Sequence, residues 1–566
     1  MTNTRYVISL VLNAHLPFVR DYTDSVYRSQ FFADEDGEEA DLKSVDLKSE
    51  ERPECTCETE QDKDILVPCS VEETWFFEVV SETYLPLLGV FDRLEGAHIP
   101  FRLGISLSPV LGQMFCDDYL IKKYVAHLER QIEFGRHEVE RLEGREECAL
   151  AQHYFNQAVE RHAAFTIRYD RDILKALDHY WKKGRIELIA APATNAFIPF
   201  LCRFPEAVRA QMETALSFYR HTLGISPRGF WPGELGWTND MSSYLYSYGL
   251  NYTIVNSHGL LFGKPPPSRG TFYPVKTEEG LFVLACDYNA SSLVEGMRKK
   301  GLYRDNSRDA VDEPENAENN PFIAKNGEKY HSGYKYRQIG SDSIYDPAAA
   351  KFCAQEQARE LLESLSGRLA SAASYMKETP ISLCAFNADS FGRQWHGGVH
   401  FIESLFRLAA GYRELQFMTP SEYLFQQPIT AIEVSHPEFS SWGDNGYAEI
   451  WLDSSNDWIY RHINRSIDRM VELADRFTED SSLKERALNQ AAREILLAQA
   501  SEWPALLYHE ESAEYAKKQI ESALQNFTTI YESLGRSHIS AEWLTSLERR
   551  HHIFPNINYR VFRSRH

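Results

Sequence analysis

The sequence has no excess of basic residues. Its formal net charge is −22 over 566 residues, and no long run of Lys and Arg occurs. A protein that binds nucleic acid needs a basic patch to displace the counterions of the phosphates. We therefore exclude nucleic acid as a partner and expect an acidic protein that handles a neutral substrate.

Cysteine pairs and long apolar runs are also scarce. The nine cysteines are scattered, and only Cys55 and Cys57 stand close together, without the second pair that a zinc site needs. This pattern indicates reduced thiols and a cytoplasmic location, and we expect no metal. The apolar stretch 6–18 is interrupted by Asn13 and His15 and is too short to span a bilayer. It predicts a buried first strand, not a signal peptide, and no membrane partner.

The sequence does contain a series of short apolar runs that end in polar residues, Gly or Pro. Most are too short for helices and are rich in Ile, Val, Leu and aromatic residues, as buried parallel strands are. Helical stretches separate them, which indicates right-handed β/α crossovers, and we predict an α/β barrel. The runs are 6–12, 101–107, 186–190, 229–231, 252–255, 281–286, 381–386 and 415–418.

Three segments interrupt this alternation. Residues 33–64 are dense in Asp and Glu and predict a solvated surface loop. Residues 116–183 predict a helical subdomain inserted beside the barrel mouth, and residues 302–334 predict a polar loop. Helical stripes replace the strands towards the C-terminus. We therefore predict a barrel domain over 1–425 and a C-terminal helical domain over 426–566.

In such a barrel the chemistry lies at the carboxyl ends of the strands. One of these ends, in the stretch 228–237, places Glu234 after a Pro-Gly turn and between Trp231 and Trp237. A carboxylate flanked by aromatic rings suits glycosyl transfer, because the anion can attack the anomeric carbon while the rings hold the sugar. A loop glutamate beside core tryptophans is the structural alternative.

The order of the motifs resembles glycoside hydrolase family 57, in particular its branching-enzyme and α-amylase-like branch. The stretch 231–237 is similar to the motif that carries the nucleophilic Glu, and 385–392 to the motif that carries the acid/base Asp. Further similar stretches are 12–19, 184–189, 418–424, 440–451, 456–462, 486–493, 500–504 and 553–559. The resemblance spans nearly the whole chain, apart from 33–64 and 302–334.

The resemblance implies an irregular (β/α)7 barrel with an inserted helical subdomain and a C-terminal helical domain. It implies retaining cleavage of α-1,4-glucan in glycogen metabolism, with transfer to a 6-hydroxyl in branching members, and no cofactor. The partner would be glycogen, amylose or a maltooligosaccharide. Since eight runs exceed seven strands, we place 281–286 in a hairpin outside the barrel.

The resemblance also implies roles for individual residues. Glu234 would be the nucleophile, and His15, Glu187 and His258 would line the donor site. A set of tryptophans would bind substrate by stacking on glucose rings: Trp231, Trp237, Trp395, Trp442, Trp451 and Trp503.

Several of the family's polar positions are asparagines in this sequence. Asn387 occupies the position of the acid/base Asp, and an amide cannot donate and recover a proton as a carboxylic acid does. Asn13 and Asn195 stand where His is expected, and Asn256 stands where an acid is usual. Asp389 lies two residues after Asn387, about 6–7 Å further along an extended strand, and is the fallback acid/base.

These substitutions leave three hypotheses open. The protein could be an altered enzyme that uses Glu234 and Asp389, or an ordinary branching enzyme whose acid comes from elsewhere. It could instead bind α-glucan without turnover, because Asn keeps the hydrogen-bonding capacity while proton transfer is lost. A scaffold without glucan affinity is a further alternative.

Overall fold

The computed structural model describes residues 6–20, 70–313, 320–323, 327, 329–478, 482–536 and 538–564. The predicted acidic loop 33–64, together with Cys55 and Cys57, lies outside these residues. The predicted polar loop 302–334 is described in part, and its described residues contain short turns and isolated bridges.

Ten strands occur in the part of the chain that the structure describes. All eight apolar runs of the sequence contain one, and the two short strands β6 and β10 were not predicted. The strands are β1 (Tyr6–Ala14), β2 (Leu103–Leu107), β3 (Ile186–Ile189), β4 (Gly229–Phe230), β5 (Tyr252–Val255), β6 (Val275–Lys276), β7 (Phe282–Ala285), β8 (Ile381–Asn387), β9 (Leu415–Phe417) and β10 (Glu433–Val434).

The strands form two sheets, which isolated parallel bridges link at two places. One sheet has the order β3-β2-β1-β8, with β9 also paired to β1, and the other has the order β10-β6-β7-β5-β4. The connecting bridges join Ala190 to Phe230 and Cys286 to Leu383. Seven parallel strands, β1, β2, β3, β4, β5, β7 and β8, therefore follow one another around an irregular (β/α)7 barrel.

The placement of 281–286 outside the barrel was wrong. The strand in this run, β7, pairs in parallel with β5 over four residues and is bridged to β8. Of the eight predicted runs, the one outside the ring is 415–418, whose strand β9 pairs with the first residues of β1. The hairpin partner of β7 is the two-residue strand β6, too short to be recognised as an apolar run.

Alternate residues of the strands fill the barrel interior. Val11, Ile189 and Leu383 belong to one buried cluster, while Leu12 on the opposite face of β1 packs in the cluster that contains the surrounding helices. Gly104 keeps space for this interior, since a Cβ there would lie 2.9 Å from the Ile189 side chain. The period of two also brings polar residues at the carboxyl ends of the strands onto the interior face.

Helices cover the strands and build the predicted insertion and the C-terminal domain. They are α1 (Thr74–Val79), α2 (Leu85–Gly96), α3 (Pro109–Met114), α4 (Asp118–Arg141), α5 (Cys148–Ala163), α6 (Ile173–Lys182), α7 (Pro205–Phe218), α8 (Asp240–Ser247), α9 (Ser257–Leu261), α10 (Tyr288–Lys300), α11 (Pro347–Ala373), α12 (Gly398–Ala409), α13 (Pro420–Gln426), α14 (Trp458–Arg476), α15 (Ser482–Ala498), α16 (Glu502–His509), α17 (Ala513–Gly535) and α18 (Ala541–Arg550).

Local sequence explains the beginnings of several of these helices. Asp117 caps α4 by accepting hydrogen bonds from the backbone N–H groups of Tyr119 and Leu120, and Ser108 caps α3 from the end of β2. Residues 116–183 contain α4, α5 and α6. Strand β10, which lies after residue 426, pairs with β6. None of the described helices is both long and apolar enough to cross a bilayer.

Candidate active site

Glu234 lies in a strained turn directly after β4. Its φ is +55° and that of Leu235 is +50°, in the left-handed region that non-glycine residues rarely adopt. Backbone strain of this kind costs about 1–3 kcal/mol and persists where the surroundings fix it. Here the backbone is fixed by Trp442, whose N–H donates to the Glu234 carbonyl at 2.7 Å.

Gly233 allows this turn to approach the segment that follows β3. A Cβ at Gly233 would lie 2.3 Å from the carbonyl oxygen of Asn195 and 2.4 Å from that of Ala196. Both atoms belong to the backbone, so they cannot rotate away. The glycine is therefore required for the position of Glu234.

Replacing Gly233 by Ala is expected to destabilise the protein by about 1–3 kcal/mol or more and to reduce activity, because the clash displaces Glu234. Thermal unfolding and activity measured on the same sample check this. Gly96 offers a matched control, since nothing lies within 4 Å of a Cβ there. A Gly233→Ala protein that matched Gly96→Ala in both measurements would contradict the role of this close approach.

The Glu234 carboxylate is held by two donors from different parts of the chain. Its Oε1 accepts from Asn195 Nδ2 at 2.8 Å and from Ser501 Oγ at 2.9 Å. Asn195 follows β3, whereas Ser501 stands directly before α16 in the C-terminal domain. The C-terminal domain therefore completes the binding of this carboxylate.

A second carboxylate, that of Glu502, shares these donors. Its Oε1 lies 3.1 Å from Asn195 Nδ2 and 3.2 Å from Ser501 Oγ. The same oxygen forms an ion pair with His15 Nε2, and His15 Nδ1 lies 2.7 Å from Ser108 Oγ. His15 follows β1, so the predicted donor-site histidine does lie in this group, through Glu502.

The surroundings shift the pKa values of the two carboxylates in opposite directions. Burial, followed by the negative charge of Glu502, raises the pKa of Glu234 to about 7 from its ordinary value near 4.5. Burial also acts to raise the pKa of Glu502, but the His15 charge and its hydrogen bonds outweigh burial and lower this pKa. Glu502 therefore loses its proton at a lower pH than Glu234 does.

The Glu502→Gln variant is expected to lower the pKa of Glu234, because the facing negative charge is removed. If ionised Glu234 is the reacting form, the acidic limb of the profile of kcat/KM against pH should move to lower pH by about one unit. Glu510→Gln, an exposed change at the end of the same helix, serves as the control. An unmoved acidic limb would show that Glu502 does not set this titration.

Asn13 and Asn387 are neighbours in register at the carboxyl ends of β1 and β8. Asn13 Nδ2 donates to Asn387 Oδ1 at 3.0 Å. The Oδ1 atoms of Asn13 and Asn195 are buried without a hydrogen-bond partner among the described residues. The Asn13 and Asn387 amides therefore pair with each other across the ends of two neighbouring strands.

Asp389 lies beyond this group, in the turn that follows β8. Its carboxylate accepts from Gln394 Nε2 at 3.0 Å and lies 3.5 Å from Arg393 Nη1. These contacts share no residue with those of Glu234. The structure therefore does not bring the predicted fallback acid/base into hydrogen-bonding contact with the nucleophile.

Glu187 is placed at the other end of the barrel. It is the second residue of β3, and its carboxylate accepts from Tyr252 Oη at 2.7 Å, at the beginning of β5. It also accepts from the backbone N–H of Ser421 at 3.0 Å, in the first turn of α13. This position does not support the prediction that Glu187 lines the donor site. At this end of the barrel, Glu187 holds the first turn of α13 against the strands.

His258 and Asn256 hold a loop over the barrel mouth. Asn256 Nδ2 donates to the Ser441 carbonyl at 2.8 Å, and His258 Nε2 lies 2.8 Å from the Gly446 carbonyl. The exposed ring of Tyr447 lies 5.0 Å from that of His258. Asn256 and His258 therefore contact the loop that also carries Trp442. That His258 lines the donor site stays a prediction.

Five of the six predicted stacking tryptophans are buried in the core. Their exposed fractions are 0–3%, for Trp231, Trp237, Trp395, Trp451 and Trp503. The faces of such rings are covered: Trp451, for example, stacks on Phe197 at 5.3 Å. Trp442 is partly exposed and meets Trp231 edge-to-face at 5.1 Å, so it alone of the six can offer a sugar platform in this conformation.

Comparisons with known proteins show the family of the chain. The family model described as Glycosyl hydrolase family 57 matches residues 61–434, well over half of the chain. The chain belongs to glycoside hydrolase family 57. A second model, 1,4-alpha-glucan branching enzyme, C-terminal, matches residues 462–562, so this is a branching-enzyme-like member of the family.

Relatives of this family 57 protein share both its sequence and its fold. The 1,4-alpha-glucan branching enzyme TK1436 of Thermococcus kodakarensis is 26% identical over 495 residues, which cover 82% of this chain and 70% of that protein. The alpha-amylase AmyC of Thermotoga maritima is 30% identical, with a TM-score of 0.83 over 99% of both chains. The Pyrococcus horikoshii branching enzyme, at 23% identity, has a TM-score of 0.81 over 100% of this chain and 97% of that one.

Sequence reasoning missed two residues of the family 57 site. Ser501 and Glu502 belong to the stretch 500–504, of which only Trp503 was singled out. Trp503 is buried and donates to the Leu497 carbonyl at 2.8 Å, so it anchors α16 while its two predecessors reach Glu234. The sequence offered one signal for these two residues: a polar pair stands directly before a tryptophan at the beginning of a helix.

Proposed function

We propose that the protein acts on α-1,4-glucan as a retaining, branching-enzyme-like glycosyltransferase or glycosidase of low turnover. The observation that carries this proposal is the position of Glu234, on a strained turn at the carboxyl end of β4 and held by Asn195 and Ser501. The substrate would be glycogen, amylose or a maltooligosaccharide. A role in glycogen synthesis and a cytoplasmic location belong to the same proposal.

In the proposed reaction, ionised Glu234 attacks the anomeric carbon, and the bond between this carbon and the glycosidic oxygen breaks. A glycosyl ester on Glu234 results, and the departing oxygen must receive a proton. A 6-hydroxyl of another glucan, or water, then attacks the anomeric carbon and gives its proton to the group that protonated the departing oxygen, while the bond to Glu234 breaks and frees the carboxylate. The Asn195 and Ser501 donors orient the carboxylate for attack, and the ionised form becomes abundant only as pH rises towards 7.

No carboxylic acid stands at the usual position to protonate the departing oxygen, and we therefore expect low turnover. Asn387 cannot release a proton, and Asp389 is engaged with Gln394 and Arg393. We propose Asp389 as the fallback donor, reached when substrate displaces these contacts. Asp389→Asn should then reduce the residual rate further.

A second candidate function is binding of α-glucan without turnover. It is favoured by Asn13 and Asn387 at the carboxyl ends of β1 and β8, because their amides form hydrogen bonds but cannot transfer protons. In this case Glu234 would be a hydrogen-bond acceptor for the bound sugar.

Incubation of the purified protein with amylose separates the candidates. New α-1,6 branches, detected by debranching and chain-length analysis, support transfer, and new reducing ends support hydrolysis. Retention on an amylose column without either product supports the binding function and contradicts the enzyme. Absence of both retention and product contradicts both candidates.

A further inference from the structure

A loop at the barrel mouth carries an exposed aromatic ring that has no part in the site described above. This mouth loop consists of residues 440–448, and Tyr447 in it is 51% exposed, with its ring 5.0 Å from that of His258. The mouth loop is attached to the catalytic group, because the Trp442 N–H donates to the Glu234 carbonyl at 2.7 Å. The Tyr447 ring therefore belongs to the carboxyl end of the barrel.

Hydrogen bonds within the mouth loop fix the backbone on both sides of Tyr447. The Ser441 N–H donates to the Gly446 carbonyl at 2.8 Å, and Ser441 Oγ accepts from the Ala448 N–H at 2.9 Å. Asn256, directly after β5, donates to the Ser441 carbonyl at 2.8 Å. A ligand that stacks on Tyr447 does not have to order this backbone, which lowers the entropic cost of binding.

The backbone on either side of Tyr447 is also held in the left-handed region. Gly446 has a φ of +81°, and Ala448, which is not a glycine, has a φ of +69°. A Cβ at Gly446 would lie 2.3 Å from the His258 ring, so the glycine lets the mouth loop approach α9. Strain of this kind is concentrated at functional sites. It indicates a function for the side chain that this turn presents to solvent.

A second exposed ring lies nearby on α9. Phe262 is 62% exposed and follows His258 by four residues, and its N–H donates to the His258 carbonyl at 3.0 Å. Residues one helical turn apart lie on the same face of a helix. Tyr447 and Phe262 are therefore both neighbours of the His258 side chain.

The partly exposed His258 ring adds a hydrogen-bond acceptor to this surface. Its Nε2 lies 2.8 Å from the Gly446 carbonyl, and since a carbonyl only accepts, Nε2 carries the hydrogen. In the neutral ring Nδ1 is then an acceptor, and it has no hydrogen-bond partner among the described residues. Two aromatic rings beside one acceptor suit a ligand that has apolar faces and hydroxyl groups at its edge.

We propose that Tyr447 and Phe262 extend the glucan-binding surface beyond the catalytic group, each by stacking on one glucose unit. A glucose ring has C–H faces that pack on an aromatic ring, and a hydroxyl at its edge can donate to His258 Nδ1. The surface is continuous with the catalytic group, because the partly exposed Trp442 in the same loop contacts Glu234. The choice of sugar rests on the proposed function.

The proposal also assigns a preference for long substrates. A chain that reaches from Glu234 to Phe262 contacts more rings than a short one does, so affinity should rise with chain length. Removal of Tyr447 or Phe262 should weaken binding of maltoheptaose more than binding of maltotriose. Equal weakening for both sugars would overturn the proposal, since the rings would then not lie outside the catalytic group.

Calorimetry with maltoheptaose tests the proposal in a Glu234→Gln background, in which bound sugar is not consumed. Tyr447→Ser and Phe262→Ser each remove one ring, and we expect each to raise Kd about two- to tenfold, the contribution of one aromatic contact. Tyr447→Phe keeps the ring and should bind as the background protein does. Weakening by Tyr447→Phe as large as that by Tyr447→Ser would overturn stacking on this ring.

Tyr375→Ser and Phe425→Ser are the matched controls, because these rings are 88% and 89% exposed at the opposite end of the barrel. Their isotherms should equal that of the background protein, and thermal unfolding establishes that all variants are folded. A Kd unchanged in either Tyr447→Ser or Phe262→Ser would overturn the proposal. Sedimentation of a dimer that Tyr447→Ser dissociates, with Kd unchanged, would overturn it in favour of an interface between copies.

Failure of the proposed function gives a different result. In that case the chain with Glu234 intact yields no product from amylose, while both ring variants still weaken binding of maltoheptaose. Turnover of amylose with a Kd that neither ring variant changes, in contrast, removes only the extension of the glucan-binding surface. A background protein that binds no maltoheptaose overturns the extension as well.

Discussion

The Asn387→Asp variant should cleave amylose about 10²- to 10⁴-fold faster than the natural chain, the range that a positioned general acid contributes. Asn387 is the last residue of β8, on the interior face of the barrel and opposite Asn13 in register. Asn13 Nδ2 already donates to the side-chain oxygen at this position, so an aspartate is accepted without rearrangement. Initial rates of reducing-end and branch formation measure the effect.

Asn13→Asp is the appropriate control for this gain of activity. It makes the same chemical change on the neighbouring strand, where the family has a histidine, and we expect no comparable increase. Equal rates for Asn387→Asp and the natural chain would mean that a missing acid is not what limits turnover. The binding function would then gain support.

The Glu234→Gln variant should lose at least about 10³-fold in kcat, both in the natural chain and in Asn387→Asp, because the amide cannot form the glycosyl ester. Its carbonyl oxygen still accepts from Asn195 and Ser501, so binding of maltooligosaccharides should be preserved. Glu438→Gln, at a partly exposed glutamate that pairs with Lys264, is the control. Activity that survived Glu234→Gln would assign the nucleophile elsewhere.

The Glu234→Gln variant should also change how the stability of the protein depends on pH. The pKa of Glu234 is raised on folding, to about 7, so its contribution to stability is present below about pH 4.5 and is lost as pH rises through 7. Glutamine does not titrate. The midpoint of thermal unfolding of Glu234→Gln relative to the natural chain should therefore rise by a few degrees between pH 5 and pH 8. An offset constant with pH would contradict the burial of this carboxylate.

The strands and their catalytic ends could be predicted from the sequence because both follow local rules. Apolar runs bounded by polar residues located every strand of the seven-stranded ring, and run ends located Glu234, His15 and Asn387. It was harder to predict at which end of a strand a given residue lies. Glu187 belongs to a predicted run, but it is near the beginning of β3 and so faces Tyr252 and α13 at the opposite end.

Contacts distant in sequence could not be predicted in this way. Glu234 and Ser501 are 267 residues apart, and nothing in either stretch specifies the other. The prediction for the tryptophans failed for a related reason, since a ring close to Glu234 in sequence can be buried by residues that are distant in sequence. Trp237 is such a case, fully buried and with its Nε1 donating to the Pro437 carbonyl at 3.3 Å.

Ser501 and Glu502 lie at the beginning of α16, outside the barrel strands, and this limits which parts of the protein can be exchanged. The barrel and the C-terminal helices together hold a single carboxylate, so neither can be exchanged with another family member as an independent module. A substitution that tilts α16 alters the protonation of Glu234 without touching the barrel. Substitutions at the junction between the barrel and α16 can thus change the pKa of Glu234, and with it the activity of the protein.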